Sequence, residues 1–150
     1  MMKKILMMAF VATSMLLATS CSKDDEQKVF SGDSLKGTTW VANLNESMTE
    51  SREGQEMTMS IKGKVSITFN TETAGTAIVD VTMSSSLMGE SFSEPMNETV
   101  DFTYTFDGSK VTITQTDEED ETSSFYLTLN SDKTALVGTQ NNFAVEFYLQ

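Results

Sequence analysis

From Trp40 onward, apolar and polar residues alternate with a period of two, the spacing that sets every second side chain on one face of a β-strand. Met57, Met59, Ile61, Val65, Ile67 and Phe69 all fall on odd positions, with Gly63 in register among them as at a bend or bulge. Ala77, Val79, Val81 and Met83 alternate with Asp80, Thr82 and Ser84. Val100, Phe102, Tyr104 and Phe106 alternate with Asp101, Thr103 and Thr105. Val111 and Ile113, then Phe125, Leu127 and Leu129, then Phe143, Val145, Phe147 and Leu149 continue the pattern. Thr, Val, Ile and aromatic residues suit such a pleated, half-buried surface.

Turn-forming clusters separate these runs. The clearest are Thr73-Ala74-Gly75, Asp107-Gly108-Ser109 and Asn130 to Lys133. Further turns fall at Arg52 to Gly54, Met88 to Glu90, Glu118 to Glu121 and Gln140 to Asn142. Together they predict eight strands over 38–50, 55–70, 76–87, 91–106, 110–117, 122–130, 134–139 and 142–149. The single proline, Pro95, falls in the least apolar part of the fourth strand, as an edge or loop allows. No segment sustains a helical period. Eight consecutive antiparallel strands on short connections predict an all-β, up-and-down barrel, in which closure removes exposed sheet edges.

Leu35-Lys36-Gly37-Thr38-Thr39-Trp40, followed by this meander and by phrases such as FTYTFDGSKVTIT (residues 102–114), resembles the small lipocalin-like, or calycin-like, surface lipoproteins of the Bacteroidota. The likeness covers about residues 34 to 150 and implies a lipocalin-like barrel. The departures are specific. Two residues separate Gly37 from Trp40, where lipocalins carry Gly-x-Trp, and the only arginine is Arg52.

The N-terminus has another character. Lys3 and Lys4 precede an apolar run from Ile5 to Leu17. That is shorter than the about 20 apolar residues needed to span a bilayer, so residues 1–20 read as a signal peptide. Ala18, Thr19 and Ser20 then lead to Cys21, the only cysteine. A lone cysteine makes no intramolecular disulfide. The context resembles a lipobox, with Leu17 one position further from the cysteine than usual, which implies that Cys21 carries lipid. Stable anchoring takes more than one acyl chain, as a diacylated or triacylated cysteine supplies. Ser22, Lys23, Asp24, Asp25 and Glu26 resemble the surface-export signal of Bacteroidota lipoproteins and imply display on the outer face of the outer membrane. Residues 21–34 read as the lipidated cysteine and a flexible tether, and 35–150 as one barrel domain.

Loss of Lys3 and Lys4 with the leader takes the formal net charge from −12 to −14. That argues against nucleic acid, whose phosphates demand Lys and Arg; it permits cationic partners and favours solubility. There is no histidine, which removes the commonest general base and metal ligand. GxGxxG, P-loop and GxSxG motifs are missing too, so the expectation is a protein that is not an enzyme and needs no cofactor or metal.

In a meander, alternate loops share an end. Segments 46–56, 90–98 and 117–121 approach the end opposite the tether and hold twelve acids against Arg52 alone. Glu53, Glu90, Asp117, Glu118, Glu119, Asp120 and Glu121 form the candidate interaction rim. The same region holds Met48, Met57, Met59, Met83, Met88 and Met96, with Leu87 and Phe92 nearby. Three readings stand for the rim: plain solvation of hairpin tips, cation binding by the oxygens of TDEEDE (residues 116–121), and an adaptable methionine contact surface. That acidic run lacks the spaced Ca²⁺-loop pattern. Met57 and Met59, on the apolar face of a strand, read as core filling rather than as Cu(I) ligands. Trp40, Phe102, Tyr104, Phe106, Phe143 and Phe147 take inward positions and line the interior, whether it is filled or holds one small ligand. Tyr126 and Tyr148 point outward. The expected function is non-catalytic binding of a small apolar molecule. The alternative is a filled barrel that engages a cationic protein through its acidic rim.

Overall fold

The computed structural model describes residues 27–52, 54–116, 121–140 and 143–150, and for residues 52, 140 and 143 the backbone only. Eight strands follow in chain order: β1 (Thr39–Arg52), β2 (Gln55–Phe69), β3 (Ala74–Leu87), β4 (Glu90–Phe106), β5 (Lys110–Thr116), β6 (Thr122–Leu129), β7 (Ala135–Gln140) and β8 (Phe143–Leu149). They form a closed antiparallel barrel in simple sequential order. Every strand expected from the alternation is present, its ends within two residues of those read from the pattern.

Local chemistry sets the connections. Met88 and Gly89 both have positive φ, 54° and 85°, and close β3 onto β4 directly behind the pair Leu87 and Glu90. Two such residues match the twist of a tight hairpin. Asp107 accepts hydrogen bonds from the backbone N–H groups of Ser109 (2.9 Å) and Lys110 (2.7 Å), which also hold its carboxyl below the usual range. The side-chain oxygen of Asn130 does the same for Thr134 and Ala135. On the outer face, hydroxyls meet across strands at Thr39 and Thr68, Thr49 and Thr58, Ser84 and Ser93, and Thr114 and Ser124. Paired hydroxyls of this kind stabilise a solvated sheet face.

Gly63 is a bend without a bulge. Pairing runs in register through it on both sides, to Leu44 and to Val81. Its φ is +145°, and a Cβ there would lie 2.2 Å from the carbonyl oxygen of Asp80. Only glycine lets β3 approach β2 so closely.

The strands are unequal. β1 to β4 run 14 to 17 residues, whereas β5 to β8 run 6 to 8. At about 3.3 Å per residue, the first half outruns the second by about 20 Å or more. The barrel closes at one end only: β4 pairs with β5 over Thr103 to Phe106, and β1 with β8 through Trp40 and Val41. Beyond those rungs, β1 to β4 continue as a four-stranded sheet without a partner strand along either edge among the described residues. Pro95 lies on that stretch of β4, opposite Thr82 of β3.

The chain preceding β1 plugs the closed end. The sequence pattern places residues 21–34 in a tether, yet Phe30 is buried, as is Leu35. The backbone N–H of Phe30 donates to the carbonyl of Lys133 in the β6–β7 turn at 2.7 Å. The packed domain therefore begins at Phe30. A single aromatic residue inside a polar stretch has no periodicity to reveal it.

Candidate functional site

Two ring clusters fill the closed end. Phe30 contacts Trp40 and Phe106 at centroid distances of 5.9 and 6.1 Å. Phe69 contacts Phe102 at 5.8 Å and Tyr104 at 4.6 Å, all tilted or edge-on as ring quadrupoles favour. Trp40 donates its Nε1–H to the hydroxyl of Thr38 at 2.9 Å. Tyr104 donates its hydroxyl to the carbonyl of Thr71 at 2.6 Å. Burial, with Glu72 nearby, raises the pKa of that phenol. Of the six inward aromatics, Trp40, Phe102, Tyr104 and Phe147 are buried and Phe106 is half-buried. The side chain of Phe143 lies outside the described residues. Four of these rings, Trp40, Phe102, Tyr104 and Phe106, make the contacts given above with one another or with Phe30 and Phe69.

Above this layer the inner face of the long sheet changes character. Register aligns it in rows. Leu44, Gly63, Val81 and Met96 form the lowest, then Glu46, Ile61, Met83 and Glu94, and then Met48, Met59, Ser85 and Phe92. Met83 and Met96 pack against the core, together with Phe125 of β6 and Val145 of β8. Met59 is 39% exposed and Phe92 65%. Met57 and Met59 thus share the core's face without filling the core, because the short strands that would cover them end below.

Three polar side chains take inner-face positions at different levels: Glu46 in the row of Ile61 and Met83, Glu98 two rows below it opposite Val79, and Gln115 next to Thr114, the partner of Thr103, at the level of Phe102. Glu98 is half-buried, and its Oε2 is buried with no hydrogen-bond partner among the described residues. Gln115 follows Val111 and Ile113 on the inner face of β5. It is only 7% exposed, and its Nε2 likewise has no partner among the described residues. Glu46 is half-buried, and loss of solvent raises its pKa. The described lysines on the strands, Lys62, Lys64 and Lys110, are all exposed and take outward positions, so among the described charged side chains the inner face carries acids alone.

The candidate rim divides. Glu90 and Glu121 are exposed. Glu53, Asp117, Glu118, Glu119 and Asp120 lie outside the described residues, as do Cys21, Ser22, Lys23, Asp24, Asp25 and Glu26. Among the described residues, no three acids or other metal-ligating side chains gather at metal-binding spacing. On the outer side of the long hairpin tips, a shallow polar hollow of about 680 Å³ is bordered by Glu56, Thr58, Ser86 and Met88, among others. It brings no set of charged groups together. Tyr126 is exposed, with the ammonium of Lys110 3.9 Å from its ring centre. Tyr148 donates its hydroxyl to the Glu146 carboxylate; burial and that bond push its pKa up to about 12.

No protein family, curated protein or solved structure matches this chain. The site therefore rests on its geometry.

Sequence pattern alone does not single out Glu46, Glu98 and Gln115, although a signal was there. Glu46 shares the parity of Trp40, Ala42 and Leu44. Glu98 shares that of Val100, Phe102 and Tyr104, and Gln115 that of Val111 and Ile113.

Proposed function

We propose that this protein is a non-catalytic binding cup, anchored by lipid on Cys21 to the outer membrane and facing the cell exterior. The closed, aromatic end meets the tether. The methionine-lined inner face opens at the other end and holds a small apolar molecule. One observation carries the reading: a partly exposed apolar face, Met48, Met59, Met83, Met96 and Phe92, lies directly above a packed base. Contiguous exposed apolar surface marks binding sites, and methionine repacks around varied shapes. The lipocalin-like resemblance and the lipobox-like context of Cys21 support the same reading.

Native mass spectrometry of the protein purified from its own host tests the cup. A retained small molecule is the expected result; a mass equal to the bare chain, together with no thermal stabilisation by alkyl probes, overturns it. The anchor is tested separately. Cys21→Ala abolishes incorporation of a labelled fatty acid, and external protease shaves the wild-type barrel from intact cells.

The exposed acids Glu90 and Glu121 favour a second reading, an accessory protein that docks a cationic partner at the open rim. Charge reversal at those two positions would abolish partner capture and leave binding in the cup intact.

A further inference from the structure

We propose that the inner face of the long sheet, above the floor of the cup, docks a cationic amphipathic helix of a partner protein. The inference rests on the second reading above, a cationic partner at the open rim, and names the form in which that partner presents itself.

Strand register carries it. The middle strands β2 and β3 give the inner face an apolar stripe, and the outer strands β1 and β4 give it acids. Ile61 and Met83 lie side by side between Glu46 and Glu94. Nearer the tips, Met57 and Leu87 lie side by side between Glu50 and Glu90. The row between them joins Met48, Met59, Ser85 and Phe92. Each row is a set of directly paired positions on one face. Met59, Leu87 and Phe92 are exposed. Among the described residues no strand pairs with β1 beyond Val41 or with the outer edge of β4 before Thr103. Inward-pointing charge protects open sheet edges, and that accounts for the glutamates taken alone. It gives no reason for the exposed apolar stripe they enclose, and a contiguous apolar surface marks an interaction face.

The dimensions fit a helix. Neighbouring strands lie about 4.8 Å apart, so the two acidic margins stand about 14 Å from each other. A helix is about 10–12 Å across, and a Lys or Arg on either flank reaches outward to one margin. The stretch of β1 from Leu44 to Glu50 is about 20 Å long, which about 13 residues of helix cover. Other occupants fit less well. A second copy would set glutamate against glutamate, since the described charged side chains on this face are all acidic. An added strand would pair at one margin and leave the stripe bare, and on β4 it would meet Pro95, which has no donor. A helix whose apolar stripe is flanked by basic residues covers the stripe and complements both margins at once. Methionine adapts to its side chains.

Three peptides of about 14 residues separate the terms. The first places Leu at helical spacing and Lys elsewhere. The second has the same composition in strict alternation, and the third carries Glu for every Lys of the first. Each is labelled and titrated by fluorescence anisotropy with the unlipidated chain, residues 22–150, at physiological salt, where attraction between exposed charges is screened beyond about 8 Å. The first is expected to bind at one site, at least about tenfold more tightly than either of the others, and to gain helix by circular dichroism. Glu46→Gln with Glu94→Gln should weaken it about fivefold. Glu56→Gln with Asp80→Asn removes the same charge from the outer face and should leave binding nearly unchanged. Met59→Gln should weaken it as well, whereas Ile78→Gln, on the outer face, should not. Equal effects of the inner and outer charge pairs would mean non-specific attraction and overturn the docking face. Equal binding of the alternating peptide overturns the helix and leaves a cationic partner standing. Failure of both basic peptides to bind overturns the two together. Self-association of the parent that Glu46→Gln with Glu94→Gln strengthens, seen by sedimentation velocity, assigns the face to a second copy and overturns the helix too.

Discussion

The ring of Phe102 lies over the backbone of Gly75: a Cβ on that glycine would sit 2.3 Å from Phe102 Cζ and 2.5 Å from the carbonyl oxygen of Thr68. Gly75→Ala must therefore displace both a ring and a strand, and overpacking of this kind costs about 1–3 kcal/mol. Gly63→Ala should cost more, since the atoms in its way are the backbone of Asp80 and Val81 and its φ is positive. Urea unfolding of the two variants checks the order. Equal midpoints would mean that the strands give way more easily than this packing implies.

Phe30 ties the segment before β1 to the base. Phe30→Ala removes two ring contacts and opens a void under Trp40, a loss of about 3–5 kcal/mol for a buried aromatic. A chain beginning at residue 35 should melt well below one beginning at residue 27. Comparable melting temperatures would return this segment to the status of a tether.

Two groups give the stability a defined pH dependence. Burial raises the folded-state pKa of Glu46 above its ordinary 4.5. Its protonated form is thus the better tolerated, a contribution present below that value and lost as pH rises through the folded one. Glu46→Gln should stabilise the barrel at neutral pH and converge with the parent in acid. Tyr148, pushed up to about 12, contributes up to the ordinary phenol value of 10 and loses that contribution between 10 and 12. Tyr148→Phe should flatten the alkaline limb, read by chemical denaturation across that range.

Pro95 sits on a stretch of β4 flanked by β3 alone. It withholds a backbone donor from an otherwise open edge. Pro95→Val should promote concentration-dependent self-association, measured by sedimentation velocity. A variant that stays as monomeric as its parent would shift edge protection to the exposed Glu94.

The strands and their order were legible because period-two alternation and turn chemistry are local. Asp107, Gly108 and the Met88-Gly89 pair announce their turns within four residues. What was hidden was non-local. The great length of β4 can be read from the sequence. That no described strand pairs with its outer edge from Glu90 to Phe102 depends on where β5 ends, on another part of the chain. The same holds for the site. Parity puts Glu98 and Gln115 on the inner face, but only the packing around them shows that one oxygen and one nitrogen are buried without partners among the described residues. Phe30 was missed for a third reason, that a lone residue has no pattern.

The seam between β1 and β8 is two rungs long, Trp40 with Leu149 and Val41 with Tyr148, followed by the bond from Gln150 N–H to the Thr39 carbonyl. Every other strand joint links neighbours in sequence and can zip from its own turn. This one must wait until both ends of the domain meet, so it is the last joint made in folding and the first to breathe. The amides along it should exchange with solvent sooner than those of the β2–β3 ladder.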